Sequence, residues 1–374
     1  MKKEKLLKLG PYGAWLQYRW NLKTARSAGS LRNVFASDWK KGKARPAEIL
    51  RAHHFGWGVD DWRMCGGGLA PETCGGYLST VEYRRLHPLN GTYSSWVDDK
   101  LTLKYLCGGS LSNLMPEYYF QILDGSVLAL PDCPGGLSGS GVCGVSELLR
   151  DRDALAFKLV RGSLGEGFYK AKNVGEAVMV NGRSMSWVEF ETWVLTLEGY
   201  IVTEYLRPHP DMHAFSSSTA NAVRYLVANE KGSPRFLHSF VRFGTSASGF
   251  VENYNAGGVL CYVSADGYYD HGNVMNAVSG RNARIEIHPD TGSVLKGRVP
   301  LWDDMSEAVR DFCARFPQLR YLGFDFVATD KGQVKMLEIN SLTSLDCLQL
   351  EGPASTLPGG DWFDAKRAEV RQKR

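Results

Sequence analysis

Gly323-Phe324-Asp325-Phe326-Val327-Ala328, then Asp330-Lys331-Gly332-Gln333, then Val334-Lys335-Met336-Leu337-Glu338-Ile339-Asn340-Ser341, is the stretch that decides the fold. Two apolar runs of strand character flank a tight polar turn, the pattern of a β-hairpin. Antiparallel pairing sets Asp325 opposite Glu338 with both side chains on one face, and Asn340, two residues on, returns to that face. Two carboxylates and an amide oxygen at one spot are hard oxygen ligands of the kind Mg²⁺ takes. The same acids also suit ion pairs with lysine or arginine on a sheet surface. Phe324, Phe326, Leu337 and Ile339 place them among apolar neighbours, where an unpaired charge is costly and a divalent cation is a natural partner.

Working outward, residues 217–350 read mainly as strands: Ala222 to Ala228, Phe236 to Phe243 and Gly258 to Val263 precede the hairpin. One amphipathic helix, Met305 to Phe316, lies between them, with apolar residues at helical spacing. Arg224 and Arg242 sit mid-strand among apolar residues. A buried guanidinium needs a carboxylate or phosphate, so each either holds a transferring phosphoryl group or satisfies a structural acid.

Further upstream, Phe157-Lys158-Leu159-Val160-Arg161-Gly162-Ser163-Leu164-Gly165-Glu166-Gly167-Phe168 reads as a strand that delivers a lysine and then a glycine loop. Backbone N–H groups of such a loop can fold over phosphate oxygens while Lys158 supplies a point charge. No GK[ST] follows the last glycine, so this is not a Walker loop, and a plain surface turn also fits. Tyr200 to Leu206 reads as another strand, and Tyr118 to Leu130 as a hairpin through Asp124-Gly125. Asp98 to Leu106 is a helix capped by aspartate, and Val145 to Arg152 is helical in character. The Ser-Gly stretch from Leu137 to Gly144 reads as a loop joining lobes. His209 and His288 read as turn residues rather than ligands, and HExxH is absent.

The chain has 374 residues, too many for one ordinary core, so two or three lobes with a cleft are expected. A net charge of +4, without a basic face interleaved with aromatics, argues against nucleic acid as a partner. The eight cysteines are scattered without metal-ligand spacing and read as reduced, mostly buried thiols. Neither a signal peptide nor an apolar run of membrane-spanning length is present, so a cytoplasmic location is expected. The first 95 residues, rich in Trp, Tyr, Gly and Arg, read as short helices and loops.

Strand lysine with glycine loop, then Glu204-Tyr205-Leu206, then arginine strands, then D(x12)ExN, is an order that resembles the ATP-grasp superfamily. The finer match is to the sugar-transfer-associated ATP-grasp family of bacterial polysaccharide gene clusters. It rests on Asn221-Ala222-Val223-Arg224, Glu252-Asn253 with Gly257-Gly258, His288-Pro289-Asp290-Thr291-Gly292, Gly297-Arg298-Val299-Pro300-Leu301-Trp302 and Tyr321-Leu322-Gly323-Phe324-Asp325, within about residues 77 to 345. Two positions depart from it: Phe324 stands where the family usually has Trp, and Ile339 where it usually has Gly. The second departure resembles the closing element of tubulin tyrosine ligase-like enzymes.

The resemblance implies an α/β (α+β) ATP-grasp fold, two α/β lobes gripping ATP, with an additional N-terminal region. The expected division is 1–95 as an N-terminal region available to substrate, 96–145 as a first subdomain, 146–210 as lid and small lobe, and 211–374 as the catalytic lobe. Lys100 and Lys158 would meet ATP, the loop of Arg161, Gly162, Ser163, Gly165 and Gly167 would cover its phosphates, and Glu204, Tyr205 and Leu206 would hold adenine and ribose. Asp325, Glu338 and Asn340 would bind one or two Mg²⁺, with Mn²⁺ able to substitute, and Arg224 and Arg242 would be catalytic. The implied activity is ATP-dependent ligation of a small-molecule carboxylate, sugar acid or amino-acid-like, to an amine through an acyl phosphate, in polysaccharide or small-molecule biosynthesis. A small-molecule kinase of the same fold, or a non-catalytic nucleotide-binding protein, are the alternatives. Oligomeric state stays open, a dimer included. Replacing Asp325 or Glu338 by alanine is expected to stop ATP turnover and leave the fold intact.

Overall fold

The computed structural model describes residues 28–42, 44–65, 76–162, 165–216, 218–276 and 281–372. In chain order come α1 (Ala28–Lys40), α2 (Pro46–Phe55), α3 (Val59–Cys65), α4 (Thr80–Leu86), α5 (Ser94–Asp98) and α6 (Lys100–Leu106). The hairpin β1 (Tyr118–Leu123) and β2 (Ser126–Ala129) precedes α7 (Gly141–Asp151), β3 (Ala154–Leu159), β4 (Tyr169–Asn173), β5 (Ala177–Val180), β6 (Arg183–Ser186), α8 (Trp187–Leu195), β7 (Tyr200–Glu204) and α9 (Pro210–His213). Then follow β8 (Val223–Glu230), β9 (Ser233–Phe243), β10 (Val259–Tyr262), β11 (Tyr268–Tyr269), β12 (Gly272–Met275), β13 (Asn282–Ile285) and β14 (Gly297–Arg298). The chain closes with α10 (Trp302–Arg315), β15 (Tyr321–Ala328), β16 (Val334–Asn340), α11 (Leu345–Leu348) and α12 (Gly360–Gln372).

Two antiparallel seven-stranded sheets carry the structure, in the orders β2-β1-β7-β3-β4-β5-β6 and β13-β12-β10-β9-β8-β15-β16. Strand periodicity explains how each sheet serves two faces. On β3, Leu155 and Phe157 pack under α7 and α8 with Leu148, Phe190 and Val194, which turns Ala156 and Lys158 to the opposite face. In the second sheet Val223, Tyr225, Val227, Leu322, Phe324 and Phe326 pack against Met305, Val309 and Phe312 of α10. The opposite face of the same strands carries Arg224, Arg242 and Asp325, and these line a cavity of ≈460 Å³ that the two sheets share. Beyond the arginines this face is covered by α4 and α12, where Tyr321 stacks on Trp362 with ring centroids 5.7 Å apart.

Several sequence expectations change here. One sheet takes strands from both 118–129 and 154–204, so the expected boundary between residues 145 and 146 does not separate two lobes. Residues 94–115 belong instead to the core of the second sheet, through Val97, Leu103, Leu111 and Met115. The 137–144 stretch is not a connection between lobes. It links two strands of one sheet, and Gly141 to Gly144 form the first turn of α7. Cys65, Cys107, Cys261, Cys313 and Cys347 are buried free thiols, whereas Cys143 is exposed.

Trp302 is 1% exposed, stacked on Tyr225 at 4.9 Å, and joins α10 to the sheet. Trp302→Ala is expected to cost about 3–5 kcal/mol from lost burial and the cavity left behind. Chemical denaturation followed by circular dichroism checks this; a loss below ~1 kcal/mol contradicts the packing described.

Candidate active site

The hairpin register sets Asp325 against Glu338, as the sequence pattern requires, and a register shift lies between Asp325 and Phe326. That bulge turns two successive residues of β16 to the cavity: Leu337 packs with Leu206, Ala222 and Val327, while Glu338 and then Asn340 also line the wall. On the other side of β15, Arg224 pairs in register with Asp325. Arg224 donates through Nε at 2.5 Å and Nη2 at 2.9 Å to the two carboxylate oxygens, and Arg242 Nη2 stands 3.2 Å from Oδ2. Asp325 is 2% exposed. Burial alone pushes its pKa up; Arg224 and then Arg242 outweigh that push and hold the carboxyl below its usual range.

Glu338 meets Lys100 Nζ at 3.0 Å and accepts from Asn340 Nδ2 at 3.2 Å. Lys100 Nζ also donates to the Gly162 carbonyl at 2.8 Å. Its neighbour Asp99 caps α6, accepting from Thr102 N at 2.9 Å, and accepts from Arg161 Nε at 2.8 Å. Two consecutive residues at the start of α6 therefore hold the glycine loop. Gly165 sits there at φ +72°, and a Cβ on it would stand 2.7 Å from Val251 Cγ1 of the second lobe, so only glycine fits. Lys158 projects from β3 into the same space. Burial pushes its pKa down to about 8, helped by Lys100 and opposed by Glu338 and Glu252.

The structure thus brings together Lys100, Lys158, Gly162, Gly165, Glu204, Tyr205, Leu206, Arg224, Arg242, Asp325, Glu338 and Asn340 around one cavity. Arg161 and Gly167 are not in its wall. The Arg161 side chain is 77% exposed and turned aside by Asp99, and Gly167 faces Tyr200 and Leu159. Ser163 lies outside the described residues. At the end of β7, Glu204 accepts from Lys331 Nζ at 3.2 Å, and Lys170 Nζ stands 4.1 Å from the Tyr205 ring centroid. His209 caps α9, and buried His288 meets the Gly244 carbonyl at 3.1 Å, so both serve turns.

Sequence reasoning gave no role to Glu252, which lies 3.9 Å from Arg242, or to Asp61, Arg84 and Asp346, all in the cavity wall. They stand in loops and short helices, where no periodicity marks the inward face. The two-residue texture Glu252-Asn253 was the one signal within reach.

The donor set suits a hard divalent cation. Among the described residues no three His, Cys, Asp or Glu side chains cluster for metal binding; Asp325, Glu338 and Asn340 present two carboxylates and an amide in one cavity wall. An ionised carboxylate offers about four lone-pair positions. The three arginine contacts leave Asp325 with capacity for one more partner, and Glu338 and Asn340 hold further oxygens beside it.

Two antiparallel sheets closing on a cavity with a glycine loop at one wall and an acid–amide set at the other define an ATP-grasp protein. The chain belongs to the sugar-transfer associated ATP-grasp family, whose model matches residues 85–359. No curated protein matches the chain. Among solved structures, the ATP-grasp ligase PsnB complexed with minimal precursor is similar at 13% identity and TM-score 0.39, covering 75% of this chain and 63% of that one. D-alanyl-alanine synthetase A from Vibrio cholerae aligns at 8% identity and TM-score 0.41, covering 74% and 66%. D-alanine–D-alanine ligase from Bacillus anthracis aligns at 13% and 0.38, covering 76% of each. The chain spans less than two thirds of the length of the first two.

Asp325→Asn leaves the buried Arg224 guanidinium short of its counter-charge, while Arg242 keeps Glu252 at 3.9 Å, and is expected to cost about 3–5 kcal/mol of stability. This corrects the expectation of an intact fold for changes at Asp325; a melting curve within error of wild type would count against it. ATP affinity is expected to hold below pH 8 and weaken above it, as Lys158, with its pKa at about 8, loses its proton. Lys158→Ala should weaken ATP binding by about 1–3 kcal/mol and flatten that pH dependence. Calorimetry across the range checks both, and an unchanged affinity in the variant counts against the assignment.

Proposed function

We propose that this protein is an ATP-dependent carboxylate–amine ligase that activates a carboxylate as an acyl phosphate and forms an amide. The observation that carries the reading is the convergence of Lys158, Arg224 and Arg242 with Asp325, Glu338 and Asn340 on one cavity between two sheets. A carboxylate does not react directly with an amine, because oxide is a poor leaving group. Conversion to an acyl phosphate removes that barrier, and phosphoryl transfer asks the protein mainly to position groups and neutralise charge.

The roles follow from position. Leu206, with Ala222, Val327 and Leu337, forms an apolar end suited to adenine, and Glu204 faces the ribose side. Lys158 and the backbone of Gly162 and Gly165 face the phosphates. Arg224 and Arg242 lie on the transferring side, where they oppose equatorial phosphoryl charge and later the tetrahedral oxyanion. Asp325, Glu338 and Asn340 would hold Mg²⁺, which when bound neutralises phosphate charge. The loop fixed by Asp99 and Lys100 excludes water from a product that water hydrolyses. The carboxylate is read as a sugar acid or an amino-acid-like molecule, in polysaccharide or small-molecule biosynthesis. Among the described residues no helix is long and apolar enough to cross a membrane.

Glu338→Gln keeps the side-chain shape and removes the charge. It is expected to lower ADP formation by roughly a hundredfold or more without unfolding the chain, since Glu338 is ion-paired at a partly open wall. An ADP-release screen of carboxylates against amines, run on wild type and variant, tests the reading. Amine-independent accumulation of a phosphorylated carboxylate points instead to a kinase, and ADP release by the variant at the wild-type rate removes the metal assignment.

A further inference from the structure

The catalytic cavity continues past the phosphoryl arginines on the side away from the adenine end. The strands set this order: from Ala222 to Arg224 on β8, and from Val327 through Asp325 to Gly323 on β15, each step of two residues advances roughly 7 Å. A Cβ on Gly323 would touch both Arg224 and Thr343, so Thr343 begins the next chamber. Tyr83 fixes that corner by donating to the Thr343 carbonyl at 2.9 Å. The chamber wall is completed by Asp61 and Arg84 from α3 and α4 and by Asn255 and Asp346. Asp61 and Arg84 lie before the family-matched residues 85–359, and Thr343, Asn255 and Asp346 lie within them, so the wall joins the N-terminal helices to the shared site.

The chamber carries both signs of charge. Asp61 accepts from the Thr80 hydroxyl. Asp346, 6% exposed, accepts from Cys347 N at 2.8 Å and from Asn255 Nδ2 at 3.4 Å, which leaves it further acceptor capacity. Burial pushes Asp61 up to about 7, with the Asp346 charge adding to the push and Arg84 opposing it. Two carboxylates that burden each other gain from an ammonium between them, and a guanidinium on the same wall suits a carboxylate.

We propose that this chamber is the amine-substrate subsite and takes a small α-amino-acid-like zwitterion, its ammonium on Asp61 and Asp346 and its carboxylate toward Arg84. The assignment rests on the ligase reading, since it places the amine one strand step from Arg224, where the acyl phosphate would form.

Calorimetric titration of the full chain, saturated with Mg²⁺ and a non-hydrolysable ATP analogue, with each proteinogenic amino acid tests the subsite. At least one amino acid should bind, and its N-acetyl and methyl-ester forms should bind about tenfold weaker or less. Asp61→Asn, which retains an acceptor for Thr80, and Arg84→Gln should each weaken the amino acid by about tenfold while leaving analogue affinity unchanged, the latter also reporting that the variants are folded. Binding by none of the amino acids, equal binding of the blocked forms, or variants that bind like wild type would overturn the proposal. Failure of the analogue itself to bind wild type strikes the ligase reading instead, and the same titrations without nucleotide then decide the subsite alone.

Discussion

Asp325 lies between two arginines on the inner face of a fully buried strand, and the architecture of the second lobe follows from that cluster. Taking three charges from water costs several kcal/mol per ion, recovered only if geometry and hydrogen bonding are close to ideal. The register between β8 and β15 supplies that geometry by placing Arg224 directly opposite the acid, and β9 brings Arg242 to the Oδ2 that Arg224 also meets. The other face of the same strands packs on α10 through Val223, Tyr225, Val227, Phe324 and Phe326. One carboxylate against two guanidiniums is balanced further out by Glu252, 3.9 Å from Arg242.

The two lobes meet through charged contacts of a different kind. Lys100 bridges Glu338 of the second sheet and the Gly162 carbonyl of the first, and Asp99 holds Arg161 beside it. The Lys100–Glu338 pair is largely shielded, whereas in the Asp99–Arg161 pair the arginine is 77% exposed and its attraction is screened by solvent. The Arg224–Asp325 pair is buried and bidentate, whereas the glycine loop is held through one shielded and one exposed ion pair.

The N-terminal helices add a further wall to the cavity. Around α2 and α3 they build a small core of Ile49, Ala52, Trp57 and Val59, in which Asp38 accepts from Val59 N at 3.0 Å and meets His53 at 2.9 Å. That core fixes α3, and α3 carries Asp61 to the cavity. The aromatic residues there serve packing, while the polar residues between them reach the site.

The closing hairpin was legible in the sequence because its determinants are local: strand alternation, a polar turn and the spacing of Asp325, Glu338 and Asn340 set the pairing that the structure contains. Lys158 followed by its glycine loop was legible for the same reason, and the motif order pointed to the family. Local pattern could not decide whether Arg224 and Arg242 serve a structural acid or the cavity. In the structure they touch Asp325 and line the cavity together, a fact of strand neighbours 101 residues apart in sequence. The bulge that turns both Leu337 and Glu338 inward, the assignment of 94–115 to the second lobe and the chamber of Asp61, Arg84 and Asp346 were likewise decided by tertiary packing. Sequence period specifies which face a residue takes within its own element, but which elements share a cavity depends on how buried faces of distant segments pair.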